Sequence, residues 1–134
     1  MAEANKSVHV DVMRSQLGRV RGLGSAKSGV GHWWAQRLTA MALVPQSLWF
    51  IFSVLHLLGA SHDDVVTWAS GPVTIVLLIA LVLATFHHLQ LGLQVVIEDY
   101  IHEDGVRLAA LLAVKGAAIL LALACVVSVL KLGL

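Results

Sequence analysis

The stretch FHHLQLGLQVVIEDY, residues 86–100, sets two histidines, a glycine and an Asp-Tyr pair in or beside a run that otherwise reads as membrane helix. Ionisable groups are expensive in hydrocarbon, so their presence there points to a ligand, a partner or a pathway. His87 and His88 are adjacent, so on a helix they point about 100° apart and cannot share one role. His88 has Ala84 one turn before it and Gly92 one turn after it on the same face, whereas His87 has Leu83 and Leu91 there. A flat, bulky ligand held by His88 would find open helix surface on both sides. Small residues equally allow two membrane helices to pack closely, so this face alone leaves both readings open. The ligand reading has a definite chemistry, because a neutral imidazole inside a membrane bundle is a natural axial ligand for haem iron.

Two further positions carry chemistry that fits such a site. Arg37 precedes an apolar block, where a guanidinium anchors a helix end at the headgroups; it can also pair a carboxylate in bidentate fashion, and haem carries two propionates. Asp99 and Tyr100 close the run that contains His88. A phenol at headgroup level is often only a belt residue, yet it can donate a hydrogen bond to a carbonyl arriving from the lipid, such as a quinone's. The lone Cys125 sits in an apolar segment as a small core residue, and no cysteine pair offers zinc or iron–sulphur spacing.

These residues need elements to hold them. The chain is 58% hydrophobic and only 13% charged, with a mean hydropathy of +0.84, which places it among membrane proteins. Its formal net charge of +1 suggests neither nucleic-acid binding nor an acidic substrate. Three apolar blocks, about 38–59, 72–97 and 108–130, each reach the ~20 residues an α-helix needs to cross the hydrocarbon core. They show isolated polar residues rather than polar stripes. The expected fold is an all-α membrane protein of three transmembrane helices, spanning residues 32–134. Residues 1–31 form a basic, glycine-rich lead-in, without the short apolar segment and cleavage site of a secretory signal peptide.

Lys6, Arg14, Arg19, Arg21 and Lys27 precede the first helix, while the loop ASHDDVVTWAS after it has no Lys or Arg. The positive-inside rule then puts the amino terminus in the cytoplasm and the carboxyl terminus outside. Trp33, Trp34 and Trp68 suit the interfacial aromatic belt. Pro45 predicts a local kink, with Gln46 and Ser47 beside it to help satisfy freed backbone groups. Lys115, about two turns into the third helix, snorkels toward the headgroups on this reading.

Depth decides which histidines can meet. His88 lies about 14 Å from the inner end of the second helix, and His56 about 27 Å from the inner end of the first, at ~1.5 Å per residue. Two axial nitrogens on one iron stand only about 4 Å apart, given ~2 Å bonds to the metal. His32 precedes the membrane on this reading and misses on the other side. His9, His62 and His102 fall in polar segments or loops. If His88 ligates haem together with a second histidine, that histidine belongs to another polypeptide.

From about Gly24 onward the chain resembles the hydrophobic membrane anchor subunits of succinate dehydrogenase (respiratory complex II) of the haem b-containing, three-helix kind. The landmarks are SAKSGVGHWWAQRLTA, with Arg37 followed by Thr39-Ala40, and HLQLGLQVVIEDY, with glycine four residues and Asp-Tyr eleven and twelve residues after His88. The resemblance implies that His88 is one axial ligand of haem b, and that a partner cytochrome b subunit supplies the other. It implies that Arg37 lies near a propionate and that Tyr100 hydrogen-bonds ubiquinone with Asp99 beside it. It further implies a flavoprotein subunit that oxidises succinate and an iron–sulphur subunit that passes electrons to the quinone. The chain would then be a non-catalytic subunit of an oxidoreductase complex, in the bacterial inner membrane rather than the mitochondrial one. The Ser-Pro-His type of motif expected of the cytochrome b subunit is absent. The spacing from His32 to Arg37 is one residue shorter than in some relatives, so no role for His32 carries over.

Two other functions compete. An anchor of fumarate reductase, working in the opposite direction, shares these motifs. A cofactor-free small membrane protein is the alternative from another class, although a transporter would tend to show inverted repeats or broken helices.

Overall fold

A computed structural model describes residues 16–20 and 29–133. Most of the basic lead-in, and with it His9, Lys6, Arg14, Arg21 and Lys27, lies outside those residues. Among the described residues five helices follow in order: α1 (Gln16–Val20), α2 (Gly29–His56), α3 (His62–Ala69), α4 (Pro72–Tyr100) and α5 (Asp104–Gly133). Three of them, α2, α4 and α5, are long and apolar enough to cross a membrane. At 28, 29 and 30 residues they run about 42–45 Å at ~1.5 Å per residue. That exceeds the ~30 Å hydrocarbon core, so their ends reach the headgroup region.

The helices outrun the apolar blocks that marked them. α2 begins at Gly29, nine residues before Leu38, and includes His32, the Trp33-Trp34 pair and Arg37. The polar residues of that turn are still good helix neighbours, and hydropathy alone cannot register them. At the other end α2 stops at His56 rather than at Gly59, because Gly59 takes a positive φ of 80° and turns the chain. α4 opens with Pro72 in its first turn, where a missing N–H costs nothing, and extends through Tyr100.

α4 is the middle of the layer. It packs against α2 on one side and α5 on the other, and α3 lies against α4 and α5. Trp68 of α3 also stacks on Trp49 of α2, with ring centroids 6.1 Å apart. α3 was not expected as a helix. Its signature is short: Ser61 caps the Asp64 backbone N–H, and the Asp64 carboxylate takes the Ser61 N–H in return at 3.2 Å. These bonds hold the Asp64 carboxyl below its ordinary value of 3.8, the side-chain bond from Ser61 first and the backbone bond second.

A layer one helix thick hides little. The buried apolar residues are Ala69, Leu91, Ile97, Ala118 and Ala122, and α2 has none. Large side chains such as Met41, Phe52, Leu112 and Leu120 stand more than 60% exposed. That much contiguous apolar surface requires lipid or protein to cover it. Pro45 lies inside α2 without ending it. Ser47 donates to the Val44 carbonyl at 3.1 Å, not to the Met41 carbonyl that Pro45 deprives of its donor, and the Gln46 Oε1 is buried without a partner.

Candidate functional site

α2 and α4 run antiparallel, which brings the start of α2 beside the last third of α4. His88 turns to that seam. Its Nδ1 lies 3.0 Å from the Thr39 Oγ1, and its Nε2 lies 3.5 Å from the Gln36 side-chain nitrogen. His87 faces the opposite way, into a small groove of about 150 Å³ against Ala118, Ile119 and Ala122 of α5. The two adjacent histidines therefore serve different neighbours, as the ~100° step between them requires.

One turn along α4 from His88, an open cavity of about 590 Å³ lies between the helices, within the size range of ligand pockets. Gly29, His32, Trp33, Gln36 and Arg37 line it from α2, and Gly92 and Val95 line it from α4. Helical spacing explains this wall. His32, Gln36 and Thr39 recur at i, i+4 and i+7 and form one face of α2. Arg37 stands four residues after Trp33, and its guanidinium lies 5.3 Å from the centre of that ring, a cation–π contact that steadies an exposed charge at the cavity rim.

Gly92 is not a packing requirement of this seam. A Cβ there would stand 3.6 Å from the Gln36 side-chain nitrogen, an ordinary contact. The flat wall is thus surplus to the contact between α2 and α4. Two polar atoms also lack partners: the His32 Nε2 and the Gln36 Oε1 are shut off from solvent without a hydrogen bond. Buried polar atoms are nearly always satisfied, so two orphans at one cavity point to a group that completes them.

These features fit a haem. His88 offers an imidazole, Gly92 leaves room beside it, and Arg37 puts a cation at the rim. Among the described residues no three histidine, cysteine or carboxylate side chains converge.

His56 ends α2, seventeen residues past Thr39 and about 26 Å from it along the helix, so it cannot join His88. His32 behaves differently from its expected place outside the membrane helix. It lies within α2 and lines the same cavity as Gly92, because the helix starts before the apolar block does. Asp99 and Tyr100 occupy the last two positions of α4, with Tyr100 78% exposed. Twelve residues separate Tyr100 from His88, about 18 Å along the helix, so the two side chains do not share one site. Lys115 lines a shallow α4–α5 groove with Gln90 and Gln94, away from the His88 seam. Thr39 and Gln36 are the site residues to which sequence reasoning assigned no role. The signal was present, since a polar i, i+4, i+7 stripe on a membrane helix marks a face with work to do.

The family model described as the succinate dehydrogenase/fumarate reductase transmembrane subunit matches residues 11–126. The chain is 36% identical over 116 residues to the succinate dehydrogenase hydrophobic membrane anchor subunit of Rickettsia bellii, covering 87% of this chain and 93% of that one. It is 32% identical over 97 residues to the succinate dehydrogenase membrane anchor subunit of Reclinomonas americana, covering 69% and 80%. It is 30% identical over 91 residues to the hydrophobic membrane anchor subunit of Paracoccus denitrificans, covering 68% and 70%. No solved structure matches the chain.

Proposed function

The chain belongs to the succinate dehydrogenase/fumarate reductase transmembrane subunit family, and from that premise we propose that it anchors a succinate dehydrogenase in the membrane and contributes to its haem b and ubiquinone sites. Anchoring is the role for which its relatives are named, and three membrane-length helices suit it. The observation that supports the haem reading is the α2–α4 seam, where His88 stands beside Gln36 and Thr39, one turn from a cavity lined by Gln36, Arg37 and Gly92.

Haem b, when bound, supplies a one-electron iron couple. In this chain the His88 Nε2 would ligate the iron and Arg37 would pair a propionate, and a partner cytochrome b subunit would supply a second imidazole. The chain itself carries out no step on succinate; a flavoprotein subunit does so, and an iron–sulphur subunit hands the electrons to ubiquinone. Tyr100 donates a hydrogen bond from its phenol to a quinone oxygen. Asp99 borders that site. The amino terminus is cytoplasmic and the carboxyl terminus outside, in a bacterial inner membrane. Thiol labelling of position 63 but not position 5 from outside the cell is the expected result, and the reverse pattern would overturn the orientation.

Tyr100→Phe tests the quinone half of the reading. It keeps the ring and deletes the donor, so quinone reduction falls, by roughly the tenfold that 1.4 kcal/mol of a lost hydrogen bond represents. Haem content and succinate oxidation by an artificial acceptor stay at the level of the parent complex. Unchanged quinone turnover and inhibitor sensitivity would remove Tyr100 from the site.

A further inference from the structure

We propose that Thr39 is the positioning residue that fixes the tautomer and the ring orientation of His88. The inference rests on the reading of His88 as a haem ligand and extends it to a residue on a different helix.

The argument is a proton count. The Thr39 hydroxyl has one proton and two acceptor lone pairs. Its oxygen lies 2.8 Å from the Ala35 carbonyl, 3.1 Å from the Gln36 carbonyl and 3.0 Å from the His88 Nδ1. The carbonyls can only accept, so the hydroxyl proton goes to Ala35, the nearer of the two. The remaining lone pairs of Oγ1 then face Nδ1, and a bond forms only if Nδ1 carries the ring proton. A neutral imidazole protonated at Nδ1 has its free lone pair at Nε2. That is the atom turned toward the side chain of Gln36, 3.5 Å away, a residue that lines the cavity.

Gln36 does not decide the tautomer, because a half-turn of its amide presents either a donor or an acceptor. Thr39 does, because its oxygen is anchored by its own helix. The bond therefore does two things. It holds the ring at a fixed angle across the α2–α4 seam, and it raises the basicity of Nε2 by drawing on the proton at Nδ1. Partners of this kind orient metal-bound histidines, and losing one typically weakens metal affinity about 10–100-fold.

The test uses the assembled complex, with Thr39→Val as the isosteric variant that removes the hydroxyl and Thr39→Ser as the variant that keeps it. Haem transfer to excess apomyoglobin measures retention. A redox titration and the low-spin spectrum measure the ligand field. Thr39→Val is expected to speed haem loss at least tenfold and to move the haem midpoint potential upward, because a less basic imidazole favours ferrous over ferric iron. Thr39→Ser should restore both. If Thr39→Val does not assemble, Thr39→Ala removes the same oxygen without adding bulk and is read in the same way.

His88→Ala separates the two levels of the argument. Low-spin haem persisting in His88→Ala would overturn the ligand assignment itself. Haem lost in His88→Ala, but with parental potential and retention in Thr39→Val, would leave His88 as the ligand and overturn the role of Thr39.

Discussion

Toward α2, helix α4 presents His88 to a threonine hydroxyl and a glutamine amide, beside a cavity that carries a cation on its rim. Toward α5 it presents Leu83, Phe86 and His87 to Ala118 and Ala122, both of them buried. Small residues four apart on α5 let two backbones approach, which is how membrane helices gain packing energy when lipid is as apolar as their side chains. The α5 seam is thus closed by contact. The α2 seam is held open, with two polar atoms unpaired and a glycine whose missing side chain packing does not demand. One helix supports both because its winding turns His88 and Gly92 toward α2 and Leu83, Phe86 and His87 toward α5. A seam left unsatisfied within the chain is one meant to be completed by something else.

The contrast is broken most directly by exchanging the histidines' fates. His88→Ala should abolish low-spin b-type haem in the assembled complex, whereas His87→Ala should leave the spectrum nearly unchanged. Loss of the signal in His87→Ala instead would reverse the assignment of the two seams. Arg37→Leu probes the rim of the same cavity with a smaller effect. A charge-assisted pair contributes about 1.5–3 kcal/mol, so losing it should weaken haem retention by roughly 10–100-fold or shift the potential while insertion proceeds. Unaltered haem properties in that variant would leave Arg37 as a helix anchor stacked on Trp33.

The three long helices and the separation of His87 from His88 were legible in the sequence, since apolar length and the 100° step are local properties. The distance of His56 from His88 was legible too, because it follows from helix rise and antiparallel order. The start of α2 was not. Hydropathy places a helix where it becomes apolar, whereas the hydrogen-bond ladder of α2 runs on through residues of modest propensity, so Gly29 to Arg37 joined α2 unannounced. That error put His32 outside the helix when it lines the cavity. Thr39 was visible as part of the Arg37-Leu38-Thr39-Ala40 landmark, but its bond to His88 spans two helices and depends on their relative rotation, which a sequence pattern does not encode. α3 escaped because an eight-residue helix carries little periodic signal, and its capping box is two residues in a polar loop.

The smallest expected effect sharpens the comparison from the far end of the molecule. Ser61 and Asp64 cap α3, which touches α4 and α5 and meets α2 through the Trp49–Trp68 stack. Ser61→Ala removes the hydroxyl that caps the Asp64 amide, a change worth about 1 kcal/mol, and should raise amide exchange in α3 roughly fivefold. Because its bonds to Ser61 lower the Asp64 pKa, the folded state binds that proton less readily than the unfolded one. The contribution is complete above the ordinary value of 3.8 and is lost as pH falls through the lower folded value. Protection of the α3 amides relative to their intrinsic exchange should therefore be flat across neutral and mildly acidic pH, falling only below about pH 4. Asp64→Asn should remove that acid-dependent fall. In both variants the haem spectrum should match the parent, since Trp49 lies ten residues, or about 15 Å, along α2 from Thr39. A spectral change on uncapping α3 would show that the α2–α4 seam depends on the far loop. The open seam would then be a property of the whole layer rather than of the residues that line it.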